Sequence, residues 1–377
     1  MHELRMIELH PQVFLLSSNN PSFKSNLISS SALVFAAAAL FSASAPLAKI
    51  LLGTFDPIML AGFLYIGSGL GACLVLLAKR LIKKGHAAEA GITRMDVPWL
   101  GGAVVAGGII APILMMLGLA ATPASTASIL LNFEGVATVL LAALIFKEAV
   151  GKRIGIAIGL ITLAAILFSW TGGHWGVSPA ALAILGACFF WGLDNNFTRR
   201  ISARDPLIIV AIKGLGAGSF SLLLALLLGR PFPFATSLPL ALVLGAMSYG
   251  LSIELFILGL RTLGAARTAT LYGVAPFLGA ILSFILLHET PSFLFWIALP
   301  LMLAGAWLMV SERHRHVHTH PIIEHAHKHT HDDLHHDHLH APGDEVEPGI
   351  SHSHPHAHEE LTHEHEHTPD LHHWHAH

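Results

Sequence analysis

The sequence has little charge and almost no cysteine. Only 12% of its 377 residues are Asp, Glu, Lys or Arg, whereas 53% are apolar, and it contains two cysteines. A soluble chain of this length would form about two or three domains with charged surfaces. The low charge therefore argues against a soluble fold. Cys73 and Cys188 both lie in apolar runs, which favours packing over a disulfide.

The sequence also lacks a nucleotide-binding motif. No string of the form G-x-x-x-x-G-K-[ST] occurs, and this is the loop that binds phosphate in ATP-driven machines. We therefore do not expect a primary pump. As separate expectations, the protein is not an enzyme, requires no cofactor and has no nucleic-acid partner. Residues 1–27 have mixed charge and no small-residue cleavage site follows them, so they are expected to be a cytoplasmic N-terminal segment and not a signal peptide.

Long apolar runs take the place of the missing charge. A membrane-spanning helix needs about 20 mainly apolar residues. Ten such runs lie near residues 28–51, 57–78, 98–119, 124–146, 154–171, 179–196, 206–229, 238–260, 267–287 and 293–310. The sequence predicts an all-α polytopic membrane protein, with the lipid bilayer as its main partner.

The basic residues between these runs predict their direction. If the N-terminus is cytoplasmic, 17 Lys and Arg residues fall in inside segments, and only Lys49 and Arg230 fall outside. Loops on the cytoplasmic side carry such an excess. We expect a bacterial inner-membrane location with both termini in the cytoplasm.

The two halves of the chain resemble each other. Four features recur with an offset of 141 residues, namely Gly118-Leu119 and Gly259-Leu260, Ala124 and Ala265, Leu130 and Leu271, and Glu148 and Glu289. Two earlier features recur with an offset of 149, namely Phe41 and Phe190, and Asp56-Pro57 and Asp205-Pro206. Each half holds five spans, and five is odd, so the second half must enter the membrane from the opposite face. This arrangement is an inverted repeat, which is common in carriers with alternating access.

Four short motifs accompany the repeat, namely Asn132-Phe133-Glu134-Gly135, Asp194-Asn195-Asn196, Lys213-Gly214 and Ala275-Pro276-Phe277. Because these four motifs occur in this order, the chain resembles the drug/metabolite transporter superfamily of the EamA type. It resembles in particular a subgroup with a His-rich C-terminal tail. The resemblance implies a ten-helix secondary transporter. It divides the chain into a first EamA-like repeat at 28–171, a second at 172–311, and a disordered cytoplasmic tail at 312–377. Pro276 departs from the symmetry, because the matching residue is Gly135.

Ionisable residues within apolar runs are candidates for a translocation site. Such a residue costs about 2.5–3.5 kcal/mol even on mild insertion scales, so its presence usually has a function. Lys213 could neutralise Asp194 or Glu254, or it could bind a substrate carboxylate. A structural ion pair between Glu254 and Lys213 is the competing interpretation. The predicted site consists of Asn132, Glu134, Asp194, Asn195, Lys213 and Glu254.

The C-terminal tail has the most unusual amino-acid composition in the chain. Residues 312–377 carry a formal charge of −10 with His neutral, against +7 for the rest, and 23 of the 28 histidines follow residue 313. Alternating imidazoles lie on one side of an extended chain and suit zinc, nickel or cobalt. The predicted metal ligands are His314, His316, His318, His320, His325, His327, His329, His331, His352, His354, His356, His358, His363, His365 and His367.

Two substrates fit these observations. The first, favoured by the tail, is a divalent transition metal (nickel, cobalt or zinc) exported by a proton-coupled carrier. The second is a small organic metabolite or drug, with the tail acting as a metal- or pH-responsive regulator. A metal-storage protein is a third interpretation, against which the inverted repeat argues. The sequence also leaves a homodimer open.

Overall fold

The fold is taken from a computed structural model. It describes residues 21–82, 91–146, 150–170, 178–201, 204–232, 236–263, 268, 271–310, 314–320, 323–329, 352–358 and 361–367. Glu148 lies outside these ranges.

Ten helices, α1 to α10, follow one another through the described residues. Six are single helices: α2 (Pro57–Ile82), α5 (Lys152–Ser169), α6 (Pro179–Arg200), α7 (Pro206–Leu227), α9 (Ala275–Leu287) and α10 (Phe293–Val310). Four consist of successive segments: α1 of Pro21–Ser42 and Ser44–Leu51; α3 of Val97–Ala103, Val104–Ile110 and Ala111–Ala121; α4 of Ala124–Leu130 and Phe133–Phe146; and α8 of Leu238–Leu244, Gly245–Leu251 and Ser252–Leu263. A 3₁₀ turn at Arg94–Asp96 leads into α3.

The helices have the length and composition of membrane spans. Eight of those described are long and apolar enough to cross a bilayer, and α9 and α10 are shorter apolar helices. The predicted fold class, an all-α polytopic membrane protein of two repeats, is confirmed.

The repeat reappears in the irregular parts of the backbone. The middle segments of α3 and α8, Val104–Ile110 and Gly245–Leu251, are π-helical. Their ends are again 141 residues apart. The break in α4 at Leu131-Asn132 has a counterpart in a turn at Gly273-Val274, just before α9, which is displaced by one residue because the two breaks are 142 residues apart. π-helical segments are rare and occur often at functional sites, so the offset of 141 that these two segments share supports the inverted repeat independently of composition.

Matching Asp-Pro pairs explain where α2 and α7 begin. Asp56 Oδ1 accepts a hydrogen bond from Ile58 N at 2.9 Å, and Asp205 Oδ1 accepts one from Leu207 N at 2.9 Å. An aspartate at the N-cap satisfies a free N–H group, and proline suits the first helical position because it has none. The Asp-Pro pair found in the sequence therefore performs the same local task in both halves.

Small residues allow α2 and α7 to cross at close range. A Cβ atom at Gly214 would lie 2.6 Å from the Gly69 Cα and 2.8 Å from the Tyr65 carbonyl oxygen. Small residues at such crossings let helix backbones pack where no hydrophobic effect drives them together. This crossing joins the first half to the second.

The two ends of the bundle are marked by polar contacts. One end of the bundle, which we call the Lys49 end, is where α1 finishes at Leu51 and α2 begins at Pro57. There, Arg230 Nε lies 3.5 Å from Asp56 Oδ2. At the opposite end, which we call the Lys79 end, Lys79 Nζ lies 2.8 Å from Glu254 Oε1. Arg204 Nε lies 2.9 Å from Asp96 Oδ2 at this end too.

Four segments of the tail form antiparallel strands. β1 (His314–His320) pairs with β4 (Leu361–His367), and β2 (Ile323–His329) pairs with β3 (His352–His358). The disorder expected for residues 312–377 stays a prediction for the tail as a whole. The alternating sequence of these four segments is compatible with strands, since a period of two is the side-chain period of a strand.

The crossing of α2 and α7 gives a first prediction. We expect Gly214→Ala to lower the thermal stability of the detergent-solubilised protein, because its methyl group would overlap the backbone of α2. Gly216→Ala is the matched control in the same helix, since a Cβ there meets no atom within 4 Å. Equal melting temperatures for the two variants, measured by size-exclusion chromatography after heating, would contradict the close approach.

Candidate functional site

A carboxylate lies at a helix break in the interior of the bundle. Glu134 is in the first turn of Phe133–Phe146, the second segment of α4, and is half-buried. The positive end of a half-helix favours a negative group at this position, and carriers often place their binding sites at such breaks. The residue at the matching position of the second half is Ala275. The carboxylate is thus present in one repeat only.

Polar side chains of α6 bind this part of α4. Asn195 Nδ2 donates hydrogen bonds to Glu134 Oε1 at 2.9 Å and to Thr138 Oγ1 at 3.1 Å. Asn196 Nδ2 donates to the Thr138 carbonyl oxygen at 3.1 Å. Asn196 is buried whereas Asn195 is exposed. The Asn196 amide therefore joins α6 to α4 in the protein interior. The Asn195 amide binds Glu134 on the exposed side of α6.

A buried ion pair lies one residue further back on α6. Asp194 is 4% exposed, and its Oδ2 accepts a hydrogen bond from Lys213 Nζ of α7. Thr198 Oγ1 donates to Asp194 Oδ1 at 3.0 Å. Both charges and the remaining carboxylate oxygen are satisfied, as a low-dielectric environment requires.

The π-helical segment of α3 fits around this ion pair. A methyl group at Gly107 would overlap the Asp194 carboxylate. The Gly107 carbonyl oxygen accepts two hydrogen bonds, from Tyr65 Oη at 2.6 Å and from Trp191 Nε1 at 3.1 Å. These two side chains stabilise the altered backbone of α3 that makes room for Asp194.

Aromatic rings form a row beside the polar groups. The ring centroids of Tyr65 and Tyr249 are 5.9 Å apart, those of Tyr249 and Phe41 6.1 Å, and those of Phe41 and Tyr272 5.7 Å. The row contains all three tyrosines of the chain. Phe41 lines the same narrow gap between helices as Leu131, which lies three residues before Glu134. The aromatic row thus reaches the break in α4 that precedes Glu134.

The structure brings four of the six predicted residues together: Glu134, Asp194, Asn195 and Lys213. Asn132 is placed nearby, but its Nδ2 donates to the Ile129 carbonyl oxygen at 2.9 Å and so satisfies the break in α4. Glu254 is not paired with Lys213, as one interpretation proposed, but with Lys79 at the Lys79 end. The reason is the rotation of α8, which turns Glu254 toward α2 and away from α7.

The described helices offer no obvious metal cage. Among the described residues, no three or more His, Cys, Asp and Glu side chains come together as a metal site would need. Of the predicted tail ligands, His331 lies outside the described residues. The others are placed only by strand register, since their side chains lie outside what the structure describes. Across β1 and β4, His314 faces His367, His316 faces His365 and His318 faces His363. Across β2 and β3, His325 faces His356, His327 faces His354 and His329 faces His352.

Sequence reasoning missed several members of the site. Thr138, Thr198, Tyr65 and Trp191 are uncharged, and single polar or aromatic residues are common in membrane helices. One signal was available for Thr138 and Thr198, which lie four residues after Glu134 and Asp194 and so share a helix face with them. No hydropathy pattern reveals the π-helical segment at Gly107.

Ten membrane helices in two inverted halves, with charged and polar groups inside, define a polytopic carrier. The profile of the EamA-like transporter family matches residues 28–170 and 178–311. The chain belongs to this family. The expected resemblance to the drug/metabolite transporter superfamily is thereby confirmed.

Three known proteins illustrate the likeness. An uncharacterized transporter of Methanothermobacter thermautotrophicus is 30% identical over 292 residues, which cover 73% of this chain and 84% of the relative. A probable terminal-alkyne amino-acid exporter of Streptantibioticus cattleyicolor is 30% identical over 212 residues, which cover 52% and 67%. A solved crystal structure matches with a TM-score of 0.55 at 21% identity, over 74% of this chain and 95% of that one. The last likeness supports the fold alone.

The buried ion pair gives a second prediction. Lys213→Met should lower the free energy of unfolding by about 3–5 kcal/mol, because it leaves the Asp194 carboxylate buried without a partner. The double variant Asp194→Asn/Lys213→Met should recover part of this loss. Lys79→Met is the control, since its pair with Glu254 is half-exposed on the Lys79 side, and exposed pairs contribute about 0–1 kcal/mol. Thermal or denaturant unfolding in detergent compares the three, and a double variant less stable than Lys213→Met would contradict the pairing.

Proposed function

We propose that this protein is a secondary exporter of a small organic solute that carries an ammonium group, such as an amino-acid-like compound. The observation that carries this proposal is the state of Glu134. Its side chain accepts a hydrogen bond from a neutral amide, and none of the ion pairs found among the described residues involves it. Asp194, by contrast, is already neutralised by Lys213. Glu134 is thus the carboxylate available to a cationic group.

The aromatic row suits an organic solute. Pockets for organic molecules combine apolar or aromatic walls with a few placed polar groups. A ring face also attracts an ammonium group. Phe41, Tyr249 and Tyr272 would supply such walls, and Phe41 lies at the gap beside Leu131, near the break that precedes Glu134. The amino-acid exporter among the relatives supports the same class of solute.

Proton exchange at Glu134 would couple this exporter to an ion gradient. A carboxylate that binds either a proton or an ammonium group cannot bind both, so outward solute movement and inward proton movement would use one group in turn. No catalytic step is part of this proposal.

Location and direction follow from the basic residues. The excess of Lys and Arg supports a cytoplasmic position for the Lys79 end and for both termini, in a bacterial inner membrane. Export then runs from the Lys79 end toward the Lys49 end. A homodimer stays a prediction.

A third prediction tests the solute site. The full chain is reconstituted in liposomes, and counterflow of labelled aliphatic and aromatic amino acids is measured together with the corresponding amines and carboxylic acids. We expect exchange of compounds that carry an ammonium group, and not of the carboxylic acids. Glu134→Gln should lower this exchange at least about tenfold, because the neutral amide loses the charge that binds ammonium.

Two controls accompany this measurement. Glu254→Gln removes a carboxylate from the same bundle, but its ion pair with Lys79 lies apart from Glu134, so exchange should stay near the unsubstituted level. Asn195→Ala keeps the carboxylate and loses one hydrogen bond, so its effect should be smaller than that of Glu134→Gln. Unchanged exchange in Glu134→Gln, or faster exchange of carboxylic acids than of amines, would refute the assignment.

Export of a divalent transition metal (nickel, cobalt or zinc) is the second candidate, and the tail supports it. In an antiparallel pair, residues directly opposite have Cβ atoms about 4.5–5.5 Å apart, which suits two imidazoles on one ion. The six His–His register pairs would therefore favour metal binding at the strands. In this proposal the tail collects the metal for the carrier, or senses it and regulates export of another solute. It ranks second because the described helices lack clustered metal ligands.

A fourth prediction separates these roles of the tail. The full chain and a chain ending at Ser311 are expressed in cells that lack metal exporters, and cell-associated nickel, cobalt and zinc are measured. Metal export with a collecting tail predicts lower metal content for the full chain than for the shortened one. If neither chain changes metal content, metal export is wrong, and equal lowering by both would make the tail dispensable.

A further inference from the structure

At the Lys49 end of the bundle, Lys49 and Glu289 both form hydrogen bonds with the turn at residues 119–125 that joins α3 to α4. Lys49, in the last turn of α1, donates hydrogen bonds from Nζ to the carbonyl oxygens of Leu119 at 2.6 Å, Ala120 at 3.0 Å and Thr122 at 3.0 Å. These carbonyl groups belong to the end of α3, where helix carbonyls lack partners and the helix dipole is negative. The ammonium group thus caps α3 from a neighbouring helix.

Glu289 binds the other side of the same turn. Its Oε1 accepts a hydrogen bond from Ala124 N at 2.6 Å, and its Oε2 accepts two, from Ser125 N at 2.9 Å and Ser125 Oγ at 2.6 Å. These groups begin α4, where free N–H groups and the positive dipole end favour a carboxylate. Glu289 lies in the second half of the chain and Ser125 in the first.

The backbone positions Glu289 by an uncommon conformation. His288, which ends α9, has φ 52° and ψ 33°, the left-handed region that favours glycine. In the described residues, it is the one non-glycine residue with a positive φ. Strain of this kind persists where the surrounding contacts hold it. The three hydrogen bonds of Glu289 are such contacts.

A narrow gap lies next to this turn, where α1, α4 and α9 cross. It is lined by small residues of the three helices, among them Ser42, Ser44, Ser128 and Gly279, and it has no room for a water molecule. Leu131, beside the break that precedes Glu134, also lines it. A solute leaving Glu134 toward the Lys49 end would have to widen this gap.

We infer that Lys49 and Glu289 form a latch that holds the Lys49 end of the carrier closed, by fixing the turn at 119–125 between α1 and α9. The latch faces a water-accessible cleft of about 450 Å³, lined by Lys49, Thr122, Pro123, Glu289 and Thr290 among others. Water can therefore replace its hydrogen bonds when it opens, which a buried ion pair does not allow. The Thr122 hydroxyl group, buried and without a partner among the described residues, would also gain water.

A fifth prediction tests the latch without any solute. Cys73 and Cys188 are replaced by Ala, and a single cysteine is placed at Ser128 in the gap or at Asn195 in the accessible space toward the Lys79 end. A membrane-impermeant maleimide is added to vesicles of each orientation. Lys49→Met and Glu289→Gln should each raise labelling of Ser128→Cys from the Lys49 side about tenfold, because a ligand or mutation that favours one state shifts the population toward it.

The same shift should lower labelling of Asn195→Cys from the other side, since the two states exclude each other. Thr290→Ala is the matched control in the same loop and should change neither rate. Unchanged rates in both latch variants would overturn the inference. A rise at both cysteines would also overturn it, because general loosening and not a latch would then explain the result.

If Lys49→Met and Glu289→Gln fail to reach the membrane, Ser125→Ala replaces them in the labelling experiment. It removes one of three hydrogen bonds to Glu289 and no charge, so labelling of Ser128→Cys should rise by about twofold to threefold. No change in this variant would overturn the inference as well. Because labelling needs no solute, its outcome is independent of the ammonium site at Glu134, and either proposal can fail alone.

Discussion

A charge inside the bilayer must be matched within the protein, and the interior of this carrier is organised around one such match. The pair of Asp194 and Lys213 joins α6 to α7, and its bulk is accommodated by the absence of a side chain at Gly107. The π-helical turn at Gly107 frees a carbonyl oxygen that Tyr65 and Trp191 satisfy. Four helices are thus positioned by one neutralised pair. Glu134 lies on a fifth helix, α4, and accepts a hydrogen bond from the neutral Asn195 amide. Among the ion pairs of the described residues, none involves this carboxylate.

Hydropathy and residue spacing were sufficient for the helices and for the repeat, because both depend on features that persist over many residues. The offset of 141 found from a few matching residues reappears in the two π-helical segments, and the paired helix breaks follow it to within one residue. The irregular segments themselves could not be predicted. A π-helical turn differs from an α-helix in the hydrogen bonds of single residues, and apolar sequence is compatible with either.

Charge pairing was the least predictable part of the site. Lys213 and Glu254 lie at similar depths, and the sequence gives no rotation of one helix relative to another. The structure turns Glu254 toward Lys79, near the end of α2, and leaves Lys213 to Asp194. Asn195 illustrates the same point, because its neighbour Asn196 has the same side chain but faces the protein interior. Adjacent residues on a helix point about 100° apart, so composition alone could not assign their roles.

The inverted halves share a backbone plan but not a chemistry. The residues that match Glu134, Asp194 and Lys213 in the other half are Ala275, Ala45 and Leu64. Symmetry therefore provides two related conformations of the scaffold, whereas the polar groups stay on one set of helices. Movement between the conformations must break contacts, and the contacts differ in what replaces them. Separating Asp194 from Lys213 would leave two charges in a low-dielectric interior. The contacts of Lys49 and Glu289 with the turn at 119–125 open into water, so this end of the bundle can separate while the ion pair at its centre stays intact.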